Sequence, residues 1–442
     1  MARSDSLQTL NLDSIRLIES VKSKLASLSR VWQHGLLLAA KACFLLTCFF
    51  IPLSTTLTDI CFSLAAGFSL MSGKIWQQRQ FWIKFPVTKV LFSAALIIIV
   101  GLFYSFAPVS AALSYSKKYL WLFLTPFLFV LVDNPRFKSY ALYSFLTAMI
   151  LTLLLSYLDY FDFSLYSFHK GEDSIFKDHI IQNFLMAITG MIFLLKVKDK
   201  GFKSLIYFIL FLLVAIDILF FCEGRIGYLL LPFVIFYSWV VTYGWRHLFF
   251  PFLIIFGLFI IALVFSHHLQ DRVLDAFQNL ETYNSLSQNN NFTSIGIRRT
   301  MLGLGIKIIE GRPLLGYGTG SIYTVLHGLP DSWIIGKEWV RTINTFENAY
   351  LHIGIQFGIL GLSLFFWGCI YLWRKSSHIV NSFFKASIRG VFIAMAIGFF
   401  FNPWLESTTE KHFLAIFLVI CFEYPMAGDG RRIWENKVSE KL

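Results

Sequence analysis

The chain has 442 residues, of which 56% are hydrophobic and only 14% are charged, with 49 phenylalanines. About a quarter of the residues of a soluble domain are charged, so this composition excludes an ordinary soluble protein and indicates a lipid environment. The net charge of +12 comes from short basic runs between apolar segments, the positive-inside pattern of cytoplasmic loops. No basic stripe with interleaved aromatic residues offers a track for nucleic acid, and we expect no nucleic-acid partner.

The first 33 residues are mostly polar and predict a cytoplasmic N-terminal segment rather than a secretory signal peptide. Leu10, Leu17 and Leu28 belong to an apolar series at helical spacing, with basic residues between them. This pattern predicts an amphipathic helix on the anionic leaflet, and a solvated tail is the alternative.

Apolar runs of roughly 20 residues predict an all-α integral membrane protein with about 12 transmembrane helices. The predicted spans are 35–52, 55–72, 86–105, 118–133, 140–158, 179–195, 204–222, 226–243, 248–266, 350–372, 388–402 and 412–425. Helices 1–9 occupy residues 34–266, helices 10–12 occupy 350–425, and residues 426–442 form a cytoplasmic tail. The basic loops at 73–85, 134–139, 196–203, 244–247 and 373–387 then all face the cytoplasm.

One large loop at 267–349 lies on the other side and is the only extramembrane segment large enough to build a site. Its middle, 294–309, predicts a helix, because Ile297, Met301 and Leu304 lie on one apolar stripe. Pro313 then ends this helix before a glycine-rich turn.

Three arginines are candidates for holding an anionic group. Arg225 lies in a hairpin so short that it stays at the membrane face, where it could hold a phosphate or, alternatively, snorkel beside Glu223. Arg298 opens the loop helix and Arg312 follows its end. Arg298 and its neighbour Arg299 point in different directions, so at most one of the two faces a given site.

The loop also contains a glycine-rich turn and an acidic exit. Gly316, Gly318 and Gly320 are typical of a backbone nest for a diphosphate, with a plain tight turn as the alternative. Glu347 comes just before a span, where partial desolvation would raise its affinity for a proton and suit it to act as a general base. The alternative is a carboxylate that complements the dipole at a helix start.

Glu406 and Glu410 lie in the next outer turn and are interpreted as helix caps. No loop supplies three metal ligands at regular spacing, so we expect no metal site.

Four stretches in the C-terminal half carry a resemblance to a known family. They are C-E-G-R-I-G-Y-L-L-L-P, T-S-I-G-I-R-R-T-M, R-P-L-L-G-Y-G-T-G-S and T-F-E-N-A-Y-L-H-I-G-I-Q-F-G-I-L-G-L, and N-P-W-L-E-S-T-T-E is similar to the outer turn that follows. In this order they resemble the bacterial O-antigen ligase and O-antigen polymerase superfamily, whose members span the inner membrane and carry a large periplasmic loop. The N-terminal half matches this family only in hydropathy.

The resemblance implies a metal-independent glycosyltransferase of lipopolysaccharide biosynthesis that needs no cofactor. Its donor would be a glycan on undecaprenyl diphosphate, its acceptor lipid A–core, and its active site would face the periplasm, with membrane lipids around the spans. The catalytic residues would be Glu347, Arg298 and Arg225, the arginines neutralising the leaving diphosphate. The substrate-binding residues would be Arg225, Arg298, Arg312, Gly316, Gly318, Gly320, Asn348 and Tyr350.

One position departs from the family pattern. The loop-exit motif of the family usually carries a histidine before the asparagine, and that histidine is the proposed base of the ligases; here the position holds Glu347. Glu347 is the first choice as base, because a carboxylate can take a proton and occupies the matching position. His352 or His327 could act instead, or the reaction could differ.

The alternative functions are an O-antigen polymerase that joins lipid-linked repeat units, a protein O-oligosaccharyltransferase, and a transporter or flippase for lipid-linked saccharide. The compact loop counts somewhat against the protein transferase.

Overall fold

The computed structural model describes residues 31–77, 85–161, 163, 174–197, 201–222, 224–245, 248–265, 270, 274, 294–334 and 338–422. Within these ranges the chain is helical, with turns and no strand. The amphipathic helix predicted before residue 31, Glu223 and the tail predicted at 426–442 lie outside the described residues.

The helices are numbered in chain order. They are α1 (Val31–Phe50), α2 (Thr55–Met71), α3 (Pro86–Phe103), α4 (Val109–Ser116), α5 (Leu120–Leu128), α6 (Pro135–Tyr160), α7 (His179–Lys196), α8 (Phe202–Ile216), α9 (Arg225–Tyr243), α10 (Phe249–Phe265), α11 (Ser294–Gly311), α12 (Ile322–His327), α13 (Asp331–Ile334), α14 (Ala349–Ser376), α15 (Ser382–Gly398) and α16 (Thr408–Cys421). Single turns lie at Lys74–Gln77, Lys117–Tyr119, Phe129–Leu131 and Glu338–Thr342, and a π turn, Asp217–Phe221, continues α8.

Seven helices among the described residues are long and apolar enough to cross a membrane: α1, α3, α6, α7, α8 with its π turn, α9 and α14. Helix α2 and residues Phe249–Ile261 of α10 are shorter apolar helices. A helix lies at each predicted span, but the segment predicted at 118–133 is divided into α5 and two 3-10 turns, with Pro126 inside α5. The structure therefore supports an all-α, multi-pass membrane protein, while the count of twelve spans stays a prediction.

Local sequence explains why α6 begins earlier than predicted. The Asn134 side chain accepts a hydrogen bond from the Arg136 amide at 2.9 Å, and Pro135 occupies the first helical position. A side-chain cap followed by proline is a strong helix start, so the helix runs for 26 residues to Tyr160.

The turns that are predicted to lie outside the membrane gather at one end of the bundle. The Ala349 amide at the start of α14 donates to the Phe399 carbonyl after α15, at 2.8 Å. At the same end, the turn before α9 contacts the start of α7, where Cys222 Sγ lies 3.9 Å from the His179 carbonyl oxygen. At the predicted cytoplasmic end, Asp133 pairs with two lysines, each at 2.9 Å.

The long loop is attached to the bundle at a break in α14. Gly358 has a φ of +61°, which interrupts the helix and leaves backbone groups without helical partners. The Ile359 amide donates to the Pro313 carbonyl at 2.7 Å, and the Leu360 amide donates to the Leu314 carbonyl at 3.3 Å. Residues 313–320, which we call the glycine-rich segment, therefore complete the backbone hydrogen bonding of a membrane-spanning helix.

Helix α11 is the core of the described part of the loop. Met301, Leu304 and Ile308 are buried, which confirms the predicted apolar stripe. They pack with residues of α12 and with Phe346 and Ile355 in a second hydrophobic cluster. This cluster fixes the loop helix against the first turns of α14, where the candidate site lies.

Candidate functional site

Two of the predicted site residues lie together. Arg298 is on the second turn of α11, and its Nε lies 3.3 Å from Glu347 Oε2 at the loop exit. Both side chains keep access to solvent, with 33% of the arginine and 52% of the glutamate exposed. The guanidinium carbon also lies 5.9 Å from the centre of the Phe401 ring. An arginine and a carboxylate at this distance form an ion pair that a bound anion could reach from solvent.

Arg225 is the first residue of α9, and its side chain is not among the described ones. The backbone around it is closely packed. A methyl group on Gly224 would collide with the Asn183 side chain and the His179 carbonyl of α7. The arginine hairpin therefore lies directly on the start of α7, at the end of the bundle where the outer turns gather.

Arg312 lies apart from the ion pair. Its guanidinium carbon is 4.0 Å from the centre of the Phe106 ring and 5.7 Å from that of Tyr317. This is the geometry of a cation–π contact between the glycine-rich segment and the turn after α3. The contact supports a packing role for Arg312.

The glycines of the predicted phosphate nest have φ angles of +67°, +87° and +75° at Gly316, Gly318 and Gly320. Their amides already have acceptors within the protein: the Arg312 carbonyl at 3.1 Å, the Gln356 carbonyl at 2.8 Å and Gln356 Oε1 at 2.8 Å, respectively. A nest needs amides that point at a ligand. This arrangement favours the alternative interpretation, a tight turn packed against α14.

Asn348 and Tyr350 join α14 to α15. Asn348 Oδ1 accepts the Leu351 amide at 3.0 Å as a helix cap, and its Nδ2 donates to the Phe400 carbonyl at 3.2 Å. The Tyr350 hydroxyl donates to the Ala396 carbonyl at 2.9 Å. Both side chains therefore hold the loop exit in place. Their hydrogen bonds within the protein favour a structural role over direct binding of a substrate.

A buried polar network lies one helical turn beyond Glu347. His352 Nδ1 is 2.7 Å from Glu406 Oε1, and only 4% and 8% of the two side chains are exposed. On the other edge of the ring, His352 Nε2 accepts the Phe346 amide at 3.2 Å and lies 2.6 Å from Thr345 Oγ1. The ring thus connects the outer turn after α15 with the loop exit.

Glu406 is surrounded by donors from a second region of the chain. The hydroxyls of Tyr115 and Tyr119 donate to its Oε1, the latter at 2.9 Å, and Lys118 Nζ lies 3.5 Å from its Oε2. Burial raises the pKa of this carboxyl, but the interactions with His352, the Tyr115 hydroxyl and the Lys118 ammonium outweigh it and hold the pKa below its usual range. Glu406 is therefore a fixed negative charge at neutral pH.

This network corrects the interpretation of Glu406 as a helix cap. The residue at the cap position of α16 is Ser407, whose side chain makes no capping bond, and the Glu406 side chain turns to His352 and the tyrosines. His327, the other alternative base, has Nδ1 2.9 Å from the Tyr323 carbonyl of its own helix. The sequence signal for the network was weak: a histidine inside an apolar stripe and a glutamate in a short turn.

An apolar cavity of about 470 Å³ opens beside the network, lined by α3, α14, α15 and α16. Tyr119, His352 and Glu406 line it, and the remaining walls are almost entirely apolar. Exposed residues such as Phe366 and Ile370 belong to the lining, so the cavity opens at the surface of the bundle. Its volume lies within the range of about 300–1,000 Å³ that is usual for ligand pockets.

The six cysteines are free thiols. In the described part of the chain, no group of three or more His, Cys, Asp or Glu side chains is placed to hold a metal ion.

Residues 208–366 match the family model described as O-antigen ligase. The match runs from α8 into α14 and includes Arg225, Arg298, Glu347 and His352, whereas Glu406 lies beyond it. A search of curated protein sequences finds no match to the chain. The match covers the part of the chain that holds most of the candidate site, and it supports the resemblance to the O-antigen ligase superfamily.

Proposed function

We propose that this protein is a metal-independent glycosyltransferase of the O-antigen ligase type. It transfers a glycan from undecaprenyl diphosphate to lipid A–core oligosaccharide at the periplasmic face of the inner membrane. The family match supports an enzyme of ligase or polymerase type, and the donor, the acceptor and the side of the membrane are the proposed parts. The observation that carries the proposal is the ion pair of Arg298 and Glu347 at the loop exit, which leads within two residues to Ala349 in the lining of an apolar cavity.

The pair supplies the two groups that such a transfer needs. The acceptor hydroxyl attacks the anomeric carbon of the donor sugar, the bond from this carbon to the diphosphate oxygen breaks, and the hydroxyl proton goes to Glu347. The lipid diphosphate leaves with a developing negative charge, which Arg298 and Arg225 stabilise. A positioned base contributes about 10²–10⁴-fold to the rate of such a proton transfer.

In the protein without substrate, the proposed base Glu347 is paired with Arg298. When the donor diphosphate binds, it competes with the Glu347 carboxylate for Arg298, because arginine binds phosphate and carboxylate oxygens in the same way. Glu347 is then released toward the acceptor hydroxyl. Its 52% exposure leaves room for this movement.

The apolar cavity fits the lipid part of the donor. It is lined by Ala349 and Tyr350, which follow Glu347 by two and three residues, and it continues between α3 and α14 to Trp373 and Arg374. A polyprenyl chain in this cavity would be anchored in the bilayer, with its diphosphate near the arginines.

The test is a transfer assay with the purified protein, a lipid-linked donor and two acceptors, core lipid and free lipid-linked repeat unit. Arg298→Ala and Glu347→Gln should each lower kcat by about 10²-fold or more, because each removes an interaction made in the transition state. Glu347→His should retain more activity than Glu347→Gln. A chelator should leave the rate unchanged.

Arg299→Ala and Glu310→Gln make the same chemical changes on exposed side chains of α11 and serve as controls. Full activity of Glu347→Gln would remove this residue as the base. Transfer to the repeat-unit lipid alone would establish a polymerase. If the purified protein instead moved donor between leaflets without transfer, the enzyme proposal would be wrong.

A further inference from the structure

The imidazole of His352 contacts both Glu406 and the residues just before Glu347. It lies in the first turn of α14, five residues after Glu347, and is almost fully buried. It does not face solvent as a free base would. The hydrogen-bond partners of its two ring nitrogens determine which nitrogen carries the proton.

The partners of the two ring nitrogens define the tautomer of His352. The Phe346 amide can only donate, so Nε2, at 3.2 Å, must offer its lone pair. The ring proton is then on Nδ1, from which it is donated to the Glu406 carboxylate at 2.7 Å. A carboxylate at this position selects the one neutral tautomer that can accept the amide.

The Phe346 amide needs this acceptor. Phe346 is fully buried in the hydrophobic cluster of the loop, so water cannot replace the imidazole. A buried amide without a partner is costly, and the chain would move to satisfy it. The amide that His352 holds belongs to the peptide unit between Thr345 and Phe346, one residue before Glu347, so the ring fixes the backbone from which the glutamate extends.

Glu406 is itself held firmly. Its oxygens receive bonds from Tyr115 and Tyr119 and lie near Lys118, all from the segment between α3 and α5. Gln356 donates to the Tyr115 hydroxyl at 3.2 Å and accepts the Gly320 amide at 2.8 Å, which connects the network to the glycine-rich segment. The orientation of the ring therefore depends on three separate parts of the chain.

We propose that His352 and Glu406 are positioning residues for Glu347: Glu406 keeps the proton of His352 on Nδ1, and Nε2 fixes the Phe346 amide and hence the direction of Glu347. The inference rests on the proposed function only in giving Glu347 a catalytic role.

The test uses Glu406→Gln. The amide NH₂ of glutamine can donate to Nδ1, which moves the ring proton to Nε2 and removes the acceptor of the Phe346 amide. Hydrogen exchange followed by mass spectrometry on the full-length protein in detergent should show faster exchange at Phe346. In the transfer assay kcat should fall by about 10²-fold with KM nearly unchanged, because only the placement of the base is lost.

A double-mutant cycle tests whether Glu406 affects the rate through Glu347. In a Glu347→Gln background, Glu406→Gln should lower kcat by less than about threefold further, since both changes act through one residue. Glu406→Asp keeps the charge and should restore part of kcat and of the exchange protection. If Glu406→Gln does not fold, the exchange rate at Phe346 in Glu406→Asp, compared with the wild type, tests the proposal instead. Asp331→Asn, a carboxylate of which 87% is exposed in an ion pair of the same loop, is the control for both measurements.

Unchanged exchange at Phe346 in both Glu406 variants would overturn the proposal, as would a fully additive loss in the double mutant. The exchange measurement needs no donor. If Glu406→Gln exchanges faster at Phe346 but the wild-type protein transfers no glycan, the proposed function is wrong. The hydrogen-bonded connection from Glu406 through His352 to Phe346 is then still supported.

Discussion

The two glutamates of the site have opposite environments. Glu406 is 8% exposed and accepts bonds from three side chains, whereas Glu347 is 52% exposed and lies near one arginine. A carboxylate that is fixed by several donors holds its charge and its position, while an accessible one can gain a proton and move. This difference supports the two proposed roles, in which Glu406 positions the loop exit and Glu347 takes the proton of the acceptor.

A second buried charge at the same end makes stability depend on pH. Lys177, in the turn before α7, is 7% exposed, and burial lowers its pKa from 10.5 to about 8, against the opposing charges of Glu410, Asp178 and Asp59. Between pH 8 and 10.5 the unfolded chain binds a proton that the folded protein has lost, so stability rises with pH in this window.

Thermal unfolding of the wild-type protein and of Lys177→Met should therefore be compared from pH 7 to 10.5. The Tm of the wild type should increase relative to that of the variant above pH 8, because the penalty for the buried ammonium disappears. Lys307→Met makes the same change on an exposed lysine and is the control. A constant difference between the wild type and Lys177→Met over the whole range would contradict the assignment.

At the residue scale the sequence indicated Arg298 and Glu347, because charged residues near a span stand out against an apolar background. It did not indicate the pairing of Glu406, since its partners Tyr115 and Tyr119 are 291 and 287 residues away. Tyrosines are common in membrane proteins, and nothing local marks these two. Only the folded chain brings the three regions together.

At the scale of the elements, the glycine-rich segment joins α3, the loop and α14. Thr319 donates from its amide to the Gly101 carbonyl at 3.1 Å and from its hydroxyl to the Ile98 carbonyl at 2.7 Å, both near the end of α3. The Tyr317 amide donates to the Ile355 carbonyl of α14 at 2.9 Å. Because these bonds cross between helices, the segment determines where α11 and the loop exit sit on the bundle.

Gly318→Ala should disrupt this junction. Gly318 has a φ of +87°, and a methyl group there would collide with the backbone of Ser105 and Gly101. Strain of this kind costs about 1–3 kcal/mol before the collision is counted, so a clearly lower Tm and a lower transfer rate are expected.

Gly303→Ala is the matched control, because no atom lies within 4 Å of its added methyl group in α11. It should leave Tm unchanged or raise it, since alanine favours a helix over glycine by about 1 kcal/mol. Equal Tm values for the two variants would contradict the structural role of Gly318.

The elements themselves were mostly predictable. Apolar length predicted the long helices, and the 3.6-residue period predicted α11, which runs from Ser294 to Gly311. The break at Gly358 was not predictable, because a glycine in an apolar helix is usually tolerated without a kink. Its cause is the Pro313–Leu314 backbone, which approaches from a distant part of the chain.

At the scale of the whole molecule, residues of the loop and of the helix bundle together make up the candidate site. The charged residues come from the loop exit and the outer turns, while the cavity beside them lies between membrane helices. Such an arrangement suits a substrate with a polar head and a long apolar tail, because each part meets a surface of its own polarity. The cavity should then recognise the length of the lipid and not the chemistry of the sugar.

Ala396→Trp tests this division. Ala396 lines the cavity and is exposed at the surface of α15, so a larger side chain can fill the opening without disturbing the core. The KM for an undecaprenyl-linked donor should rise about tenfold, equivalent to roughly 1.4 kcal/mol of chain binding, while that for a short-chain donor with the same glycan changes little. Leu360→Trp places the same ring on an exposed position of α14 outside the cavity and should leave both values unchanged. An equal rise for both donors would mean that the cavity does not hold the lipid chain, because blocking it would then have disturbed the polar site instead.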